Sequence, residues 1–191
     1  MTGAAFCLFD TAIGVAAVAW RGEALVASSL PEASRGALEA AVRRRLPEGE
    51  QSEPPAAIAR VIDAVERLLA GEAQDLGFVE LDLEGVPAFE ASVWLAARTI
   101  PPGETLTYGM LAARIGEPGA ARAVGAALGR NRFPIVVPCH RILAATGTGG
   151  FSAPGGRDTK LRLLEIERAA LPGEAPGLFE TLPLRLAPER R

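Results

Sequence analysis

Residues 134–143 read PIVVPCHRIL and set a cysteine, Cys139, directly before the only histidine of the chain, His140. A thiol attacks as its thiolate, and a thiolate needs positive charge or hydrogen-bond donors close by. Cationic side chains crowd this stretch: Arg141 follows the pair, and Arg130 and Arg132 precede it. Pro138 lacks an N–H and ends strand pairing, so Cys139 is expected at a strand end that opens into a pocket. In an extended segment Cys139 and His140 point to opposite sides, and a proton passes between them more easily through a water than directly. His140 then needs an acceptor to orient its ring, usually a carboxylate. Glu165 and Glu167, in the helical stretch 157–169, fall on different faces, so at most one is expected to point inward. A buried structural cysteine and a satisfied core histidine are each commoner than catalytic ones. Their adjacency, between Pro138 and Arg141, favours the chemical reading.

The other cysteine, Cys7, alternates with Phe6 and Leu8 in a strand-like run and reads as a small buried hydrophobe. With two distant cysteines and one histidine, neither a disulfide framework nor a structural zinc site is indicated.

The elements that must hold Cys139 follow from periodicity. The first 30 residues read as three short strands, with turns at Asp10–Thr11 and Arg21–Gly22. Residues 32–46 carry an apolar stripe of Leu38, Ala41, Val42 and Leu46 and read as a helix. Residues 47–55 read as a loop, and Pro55 opens a second helix running to Gly71. FVELDL (78–83) alternates like an exposed strand. Strands followed by helices make an α+β unit over 1–86. A second unit over 87–170 reads as helical: 87–99 with Phe89, Val93 and Trp94 inward, then 105–116 capped by Thr107, then 121–131. Two short helices around a tight glycine turn form a helix-turn-helix pattern. The outward face of its second helix is small, with Ala121, Ala123 and Ala126, and carries one long cation, Arg122. Such a helix can approach a nucleic-acid groove closely. Alanine is also the best helix former, so this helix alone decides nothing. Residues 171–191 form a Pro-rich tail.

Net charge is −3, with 7 Lys+Arg against 14 Asp+Glu over 1–87 and 10 against 6 over 88–168. The net −3 by itself speaks against nucleic-acid binding; a basic second half on an acidic first half allows one face toward a polyanion, but the excess is modest and alone favours DNA only weakly over a solvated surface. No apolar run is long enough to span a bilayer, and the N-terminus lacks a basic leader pattern, so a cytoplasmic protein that does not engage membrane is expected.

PCHRIL (138–143) resembles the acceptor-cysteine signature of the 6-O-alkylguanine-DNA alkyltransferases (methylated-DNA–protein-cysteine S-methyltransferases). ARAVGAALGRNRFPIVVPCHRIL (121–143) resembles that family's recognition helix, asparagine hinge and active-site strand in order and spacing. TLTYGMLAARIG resembles the helix before it, and KLRLLEIE (160–167) the closing helix with its glutamate. Together these cover nearly all of 88–168.

The fold that goes with the resemblance is α+β: a small N-terminal antiparallel sheet with helices (RNase H-like), then a mostly helical, winged-helix-like C-terminal domain. The resemblance implies that Cys139 takes the alkyl group, that His140 accepts its proton through a water, and that Glu167 orients His140. Asn131 is then the hinge, Arg122 the finger filling the stack, and Tyr108 the donor toward the departing guanine. Arg130, Ala121, Ala123 and Ala126 belong with Arg122 on the DNA face. Phe151, Ser152, Val137 and Pro138 would line the pocket, Phe151 standing where the family often has tyrosine; FSAPGGRDTK is about two residues longer than in some relatives.

The implied reaction is a displacement at a saturated carbon, with sulfur attacking and the guanine 6-oxygen leaving. The target is stacked inside a duplex and must be flipped out. The thioether product has no easy leaving group, so each molecule reacts once. The partner is double-stranded DNA containing alkylated guanine, the protein is a monomer, and no metal or organic cofactor is implied. A Cys–His thiol hydrolase, a non-enzymatic binder of alkylated DNA and a helix-turn-helix regulator are the competing readings.

Overall fold

The computed structural model describes residues 3–169 of the chain, so the stretch 171–191 read above as a tail lies outside the described residues. Three strands, β1 (Ala5–Thr11), β2 (Gly14–Arg21) and β3 (Ala24–Ser29), form the antiparallel meander. Thr11 pairs with Gly14, so the first turn lies at residues 12 and 13 rather than at Asp10–Thr11. Helix α1 (Arg35–Arg45) starts where the Ser34 hydroxyl accepts from the Ala37 N–H, and buries Leu38 and Val42. Helix α2 (Ala56–Leu69) follows Pro55 and buries Ile58, Val61, Val65, Leu68 and Leu69.

The fourth strand differs from the sequence expectation. The sheet order is β3-β2-β1-β4, and β4 is Glu50–Gln51, parallel to β1 in a stretch read as loop. FVELDL does not form a strand; it contributes a single bridge from Leu81 to Leu25. Two backbone bonds, Leu25 N to Glu80 O and Asp82 N to Leu25 O, dock it there. A two-residue polar strand has no alternation to read, and the alternation of 78–83 outruns the partner it finds.

The second half runs α3 (Ala88–Arg98), β5 (Leu106–Thr107), α4 (Tyr108–Arg114), α5 (Ala121–Gly129), β6 (Ile142–Leu143) and α6 (Gly156–Ile166). Thr107 caps α4, its hydroxyl accepting from the Met110 N–H. The α4 and α5 helices pack on each other and on α3 through Leu111, Ala112, Val124, Ala127 and Leu128, all buried. Trp94 pins α3 to α5 by donating its indole N–H to the Ala127 carbonyl (2.9 Å) and meets Phe133 edge-on at 5.7 Å. One hydrophobic cluster runs from Val18, Trp20 and Leu25 through α2 to Trp94, Phe133 and Val137. A smaller one lies under α1 around Phe6, Val26, Leu38 and Val42. Over the described residues the result is a mixed α+β arrangement with a small sheet and six α-helices. Among the described residues no helix is long and apolar enough to cross a membrane.

Candidate active site

Cys139 does not end a strand. Pro134 and Val137 bridge each other across a tight turn, and Cys139–Arg141 is a single 3-10 turn leading into β6. Ile135 in that turn has φ +75°, a left-handed conformation that a β-branched residue rarely adopts and that typically costs on the order of 1–3 kcal/mol. Pro138 (φ −79°, ψ 64°) closes a second tight turn, in which the Cys139 N–H donates to the Val137 carbonyl. The sequence shows an apolar run between two prolines. Only the backbone shows that it folds over itself.

Asn131, just past the end of α5, holds this turn. Its amide N–H₂ donates to the Val137 carbonyl (2.9 Å) and to the Cys139 sulfur (3.3 Å), and its oxygen accepts from the Phe133 N–H (2.9 Å). Behind the sulfur, His140 Nε2 meets Glu167 Oε1 at 2.9 Å, both side chains almost wholly buried. Of the two glutamates, Glu167 therefore points inward. It is the residue that caps the end of α6.

Arg141 is not a neighbour of the sulfur but the second partner of Glu167, donating to both carboxylate oxygens (2.9 and 2.7 Å) and to the Ile100 carbonyl. Arg130 pairs with Glu90 (2.8 Å), and Arg132 donates to the Asp82 carbonyl. The arginines expected to support a thiolate are thus engaged elsewhere. The cation coupled to Cys139 is Lys160, which sequence reasoning missed. It is fully buried, donates to the Ile142 and Gly150 carbonyls (2.6 and 3.2 Å), and lies 5.9 Å from the centre of the Tyr108 ring. Two signals mark it. It is the only lysine among 20 basic residues, and it shares a helical stripe with Leu163 and Leu164. The lone histidine, lone tyrosine and lone lysine of the chain all gather around Cys139.

Burial sets the resting charges. It pushes the Cys139 thiol up, and the Asn131 amide, the Lys160 ammonium and nearby backbone N–H groups pull it partly back. The thiol therefore rests protonated and needs a base. Burial likewise lowers His140, with Glu167 pulling the other way and Arg141 and Lys160 adding to the lowering, so the imidazole is neutral and able to accept. Burial alone would raise Glu167, but His140 and Arg141 together hold its carboxyl at about 2. Burial lowers Lys160 to about 8, against the attraction of Cys139. Tyr108 is raised by burial and then by Cys139, so its hydroxyl keeps its proton; it donates toward the Gly150 carbonyl at 3.4 Å.

The sulfur faces a cavity of about 280 Å³ walled by Tyr108, Gly125, Leu128, Phe151 and Ser152. Gly149, at φ +71°, makes room for this wall, since a Cβ there would sit 3.2 Å from the Tyr108 hydroxyl. Val137 and Pro138 were expected in the wall and are not there. Val137 is packed into the core, and Pro138 borders a different cleft with Arg98 and Arg141. The folded-back turn is the reason: it directs residues 137 and 138 away from the side to which the sulfur points. On the outer face of α5, Arg122, Ala123 and Ala126 are exposed, Ala121 is partly so, and Arg130 is exposed but ion-paired.

Residues 88–169 match the family model of the DNA-binding domain of 6-O-methylguanine DNA methyltransferases. A methylated-DNA–protein-cysteine methyltransferase of Mycobacterium tuberculosis is 46% identical over 121 residues, 63% of this chain and 71% of that protein. One from Methanothermobacter thermautotrophicus is 40% identical over 123 residues, 64% of this chain and 68% of that protein. The crystal structure of Mycobacterium tuberculosis OGT in complex with DNA superposes with a TM-score of 0.69 at 38% identity, covering 86% of this chain and 92% of that one. The chain belongs to the methylated-DNA–protein-cysteine methyltransferases. As a methyltransferase of this family it is an enzyme, and the likeness to the M. tuberculosis structure extends past the matched domain into the sheet and helices of the first half.

Proposed function

We propose that this methyltransferase repairs DNA by moving one alkyl group from the 6-oxygen of guanine to Cys139, once per molecule. The observation that carries the reading is the pair of bonded groups, Asn131–Cys139 and His140–Glu167–Arg141, that meet at the Cys139–His140 peptide beside a cavity lined by the sulfur. The neutral His140 takes the thiol proton through a water at Nδ1, while Glu167 fixes the ring at Nε2 and stabilises the imidazolium that forms. The sulfur bonds to the alkyl carbon as the carbon–oxygen bond breaks. The electron pair passes into the purine, and Tyr108 donates a hydrogen bond as that charge develops. The purine ends protonated, so thiol and alkylguanine become thioether and guanine. Asn131 and Lys160 stabilise the sulfur anion as it forms.

The substrate is a duplex, and its alkylated guanine must leave the stack. Arg122, on the small exposed face of Ala121, Ala123 and Ala126, fills the gap, the helix lying in the minor groove. Backbone contacts dominate, so readout is nearly independent of sequence. The protein acts as a monomer, with an RNase H-like lobe over 1–86 and a winged-helix-like lobe over 87–170. Phe151 supplies a ring to the pocket without a hydroxyl.

Counting transferred methyl groups tests this. With a tenfold excess of O6-methylguanine duplex, transfer stops at one methyl per protein and added substrate restores nothing. Continued turnover points to a thiol hydrolase-like cycle and ends the reading.

A further inference from the structure

The sheet of the first half reaches the Cys139 turn through Ser28, near the end of β3. Ser28 is 8% exposed. Its backbone N–H donates to the Arg132 carbonyl (2.9 Å), and its hydroxyl donates to the Pro134 carbonyl (2.8 Å), 106 residues along the chain. The second of these carbonyls belongs to the residue just before Ile135, whose φ of +75° persists only where the surroundings over-determine it. The far end of the same turn is held by Asn131, through the Val137 carbonyl, and by the Val137 N–H on the Phe133 carbonyl. Cys139 follows at once, its N–H bonded to the Val137 carbonyl. A shift at Pro134 therefore reaches the sulfur with only four residues of tightly folded backbone between them.

We propose that Ser28 is a positioning residue for the transfer step. Its hydroxyl anchors the Pro134 carbonyl, keeps Ile135 left-handed, and thereby aims the Cys139 sulfur into the cavity and within reach of Asn131. The first half of the chain thus takes part in the chemistry while standing outside the 280 Å³ cavity. The proposal rests on the proposed function for its catalytic consequence, but the strap itself can be read without it.

The test uses the full chain and three variants. Ser28→Ala removes the hydroxyl, Ser28→Thr keeps it, and Leu38→Ala opens a cavity under α1 far from the turn. Transfer from saturating O6-methylguanine duplex is followed as a single exponential, with DNA affinity and thermal midpoint measured alongside. Ser28→Ala slows transfer by about 10-fold or more, the scale expected of a sub-ångström to ångström misplacement, with affinity unchanged. Ser28→Thr restores the rate. Leu38→Ala lowers the thermal midpoint at least as far and leaves the rate alone. A second readout needs no DNA: the pH dependence of Cys139 carboxamidomethylation by iodoacetamide, mapped by peptide mass, shifts in Ser28→Ala and not in Leu38→Ala. If the wild-type protein transfers no methyl group, the proposed function falls, and the labelling profile still decides the strap. An unchanged rate and labelling profile in Ser28→Ala, or equal losses in Leu38→Ala, overturn the proposal.

Discussion

Lys160 holds a charge where charge is disfavoured, and its place beside Cys139 gives the site a built-in alkaline limit. It is protonated below about 8, so its attraction for the sulfur anion is present there and lost as pH rises through that value. Transfer should therefore fall on the alkaline side with a midpoint near 8, and Lys160→Met should abolish that limb. Removing one neighbouring charge raises a thiol by about one pKa unit, which predicts a rate about 10-fold lower near neutrality. A pH–rate profile of both proteins checks this. Glu167 acts in the opposite direction. Its carboxyl is held at about 2 against an ordinary 4.5, so the stability it lends is present above 4.5 and lost as pH falls toward 2. His140, lowered from 6.5, adds to the same acid lability, because the unfolded chain takes up its proton first. Glu167→Gln leaves the buried Arg141 charge uncompensated and should cost about 3–5 kcal/mol. Urea unfolding followed from pH 7 down to pH 2 reads both effects: the variant should be less stable at pH 7, should lose the decline below about 4.5 that Glu167 contributes, and should keep the decline below 6.5 that His140 contributes.

Among the elements, the proposed function makes α5 and its approach to Cys139 decide whether a duplex can be served. Arg122 is exposed on α5, and among the described residues no hydrogen bond or ion pair holds it, so Arg122→Ala should slow transfer from duplex far more than reaction with the free base O6-benzylguanine. Equal losses on both would remove its finger role. Gly125 lies on the cavity side of α5, and an added Cβ would meet the Tyr108 ring at 3.7 Å, an ordinary contact. Gly125→Ala should stabilise the helix by about 0.5–1 kcal/mol, read by denaturant midpoint, while narrowing the base cavity and slowing transfer. These helices were legible in the sequence because their apolar stripes repeat at 3.6 residues and Thr107 and Pro55 mark their starts. The active-site turn was not. Its apolar residues carry no period, and the left-handed Ile135 has no sequence signal, since isoleucine normally argues against that conformation. Lys160 escaped because a lone lysine on a helix normally reads as a solvated charge, though its register with Leu163 and Leu164 placed it on the buried face.

For the molecule as a whole, the proposed function requires the basic second half, not the acidic first half, to face the DNA, against a net charge of −3. Affinity for DNA should fall about 10- to 50-fold between 50 and 200 mM salt, as expected for two or three phosphate contacts, and a salt titration by fluorescence anisotropy measures it. The hydrophobic cluster is continuous from the sheet to the Cys139 turn, so unfolding of the two halves should be coupled. The most direct test of the account is the site of the transferred group. After reaction with one equivalent of O6-methylguanine duplex, peptide mass mapping should find one added methyl group on the sulfur of Cys139 and none on Cys7, and Cys139→Ala should bind the duplex but gain nothing. Methylation at any other residue, or transfer that survives in Cys139→Ala, would contradict the account.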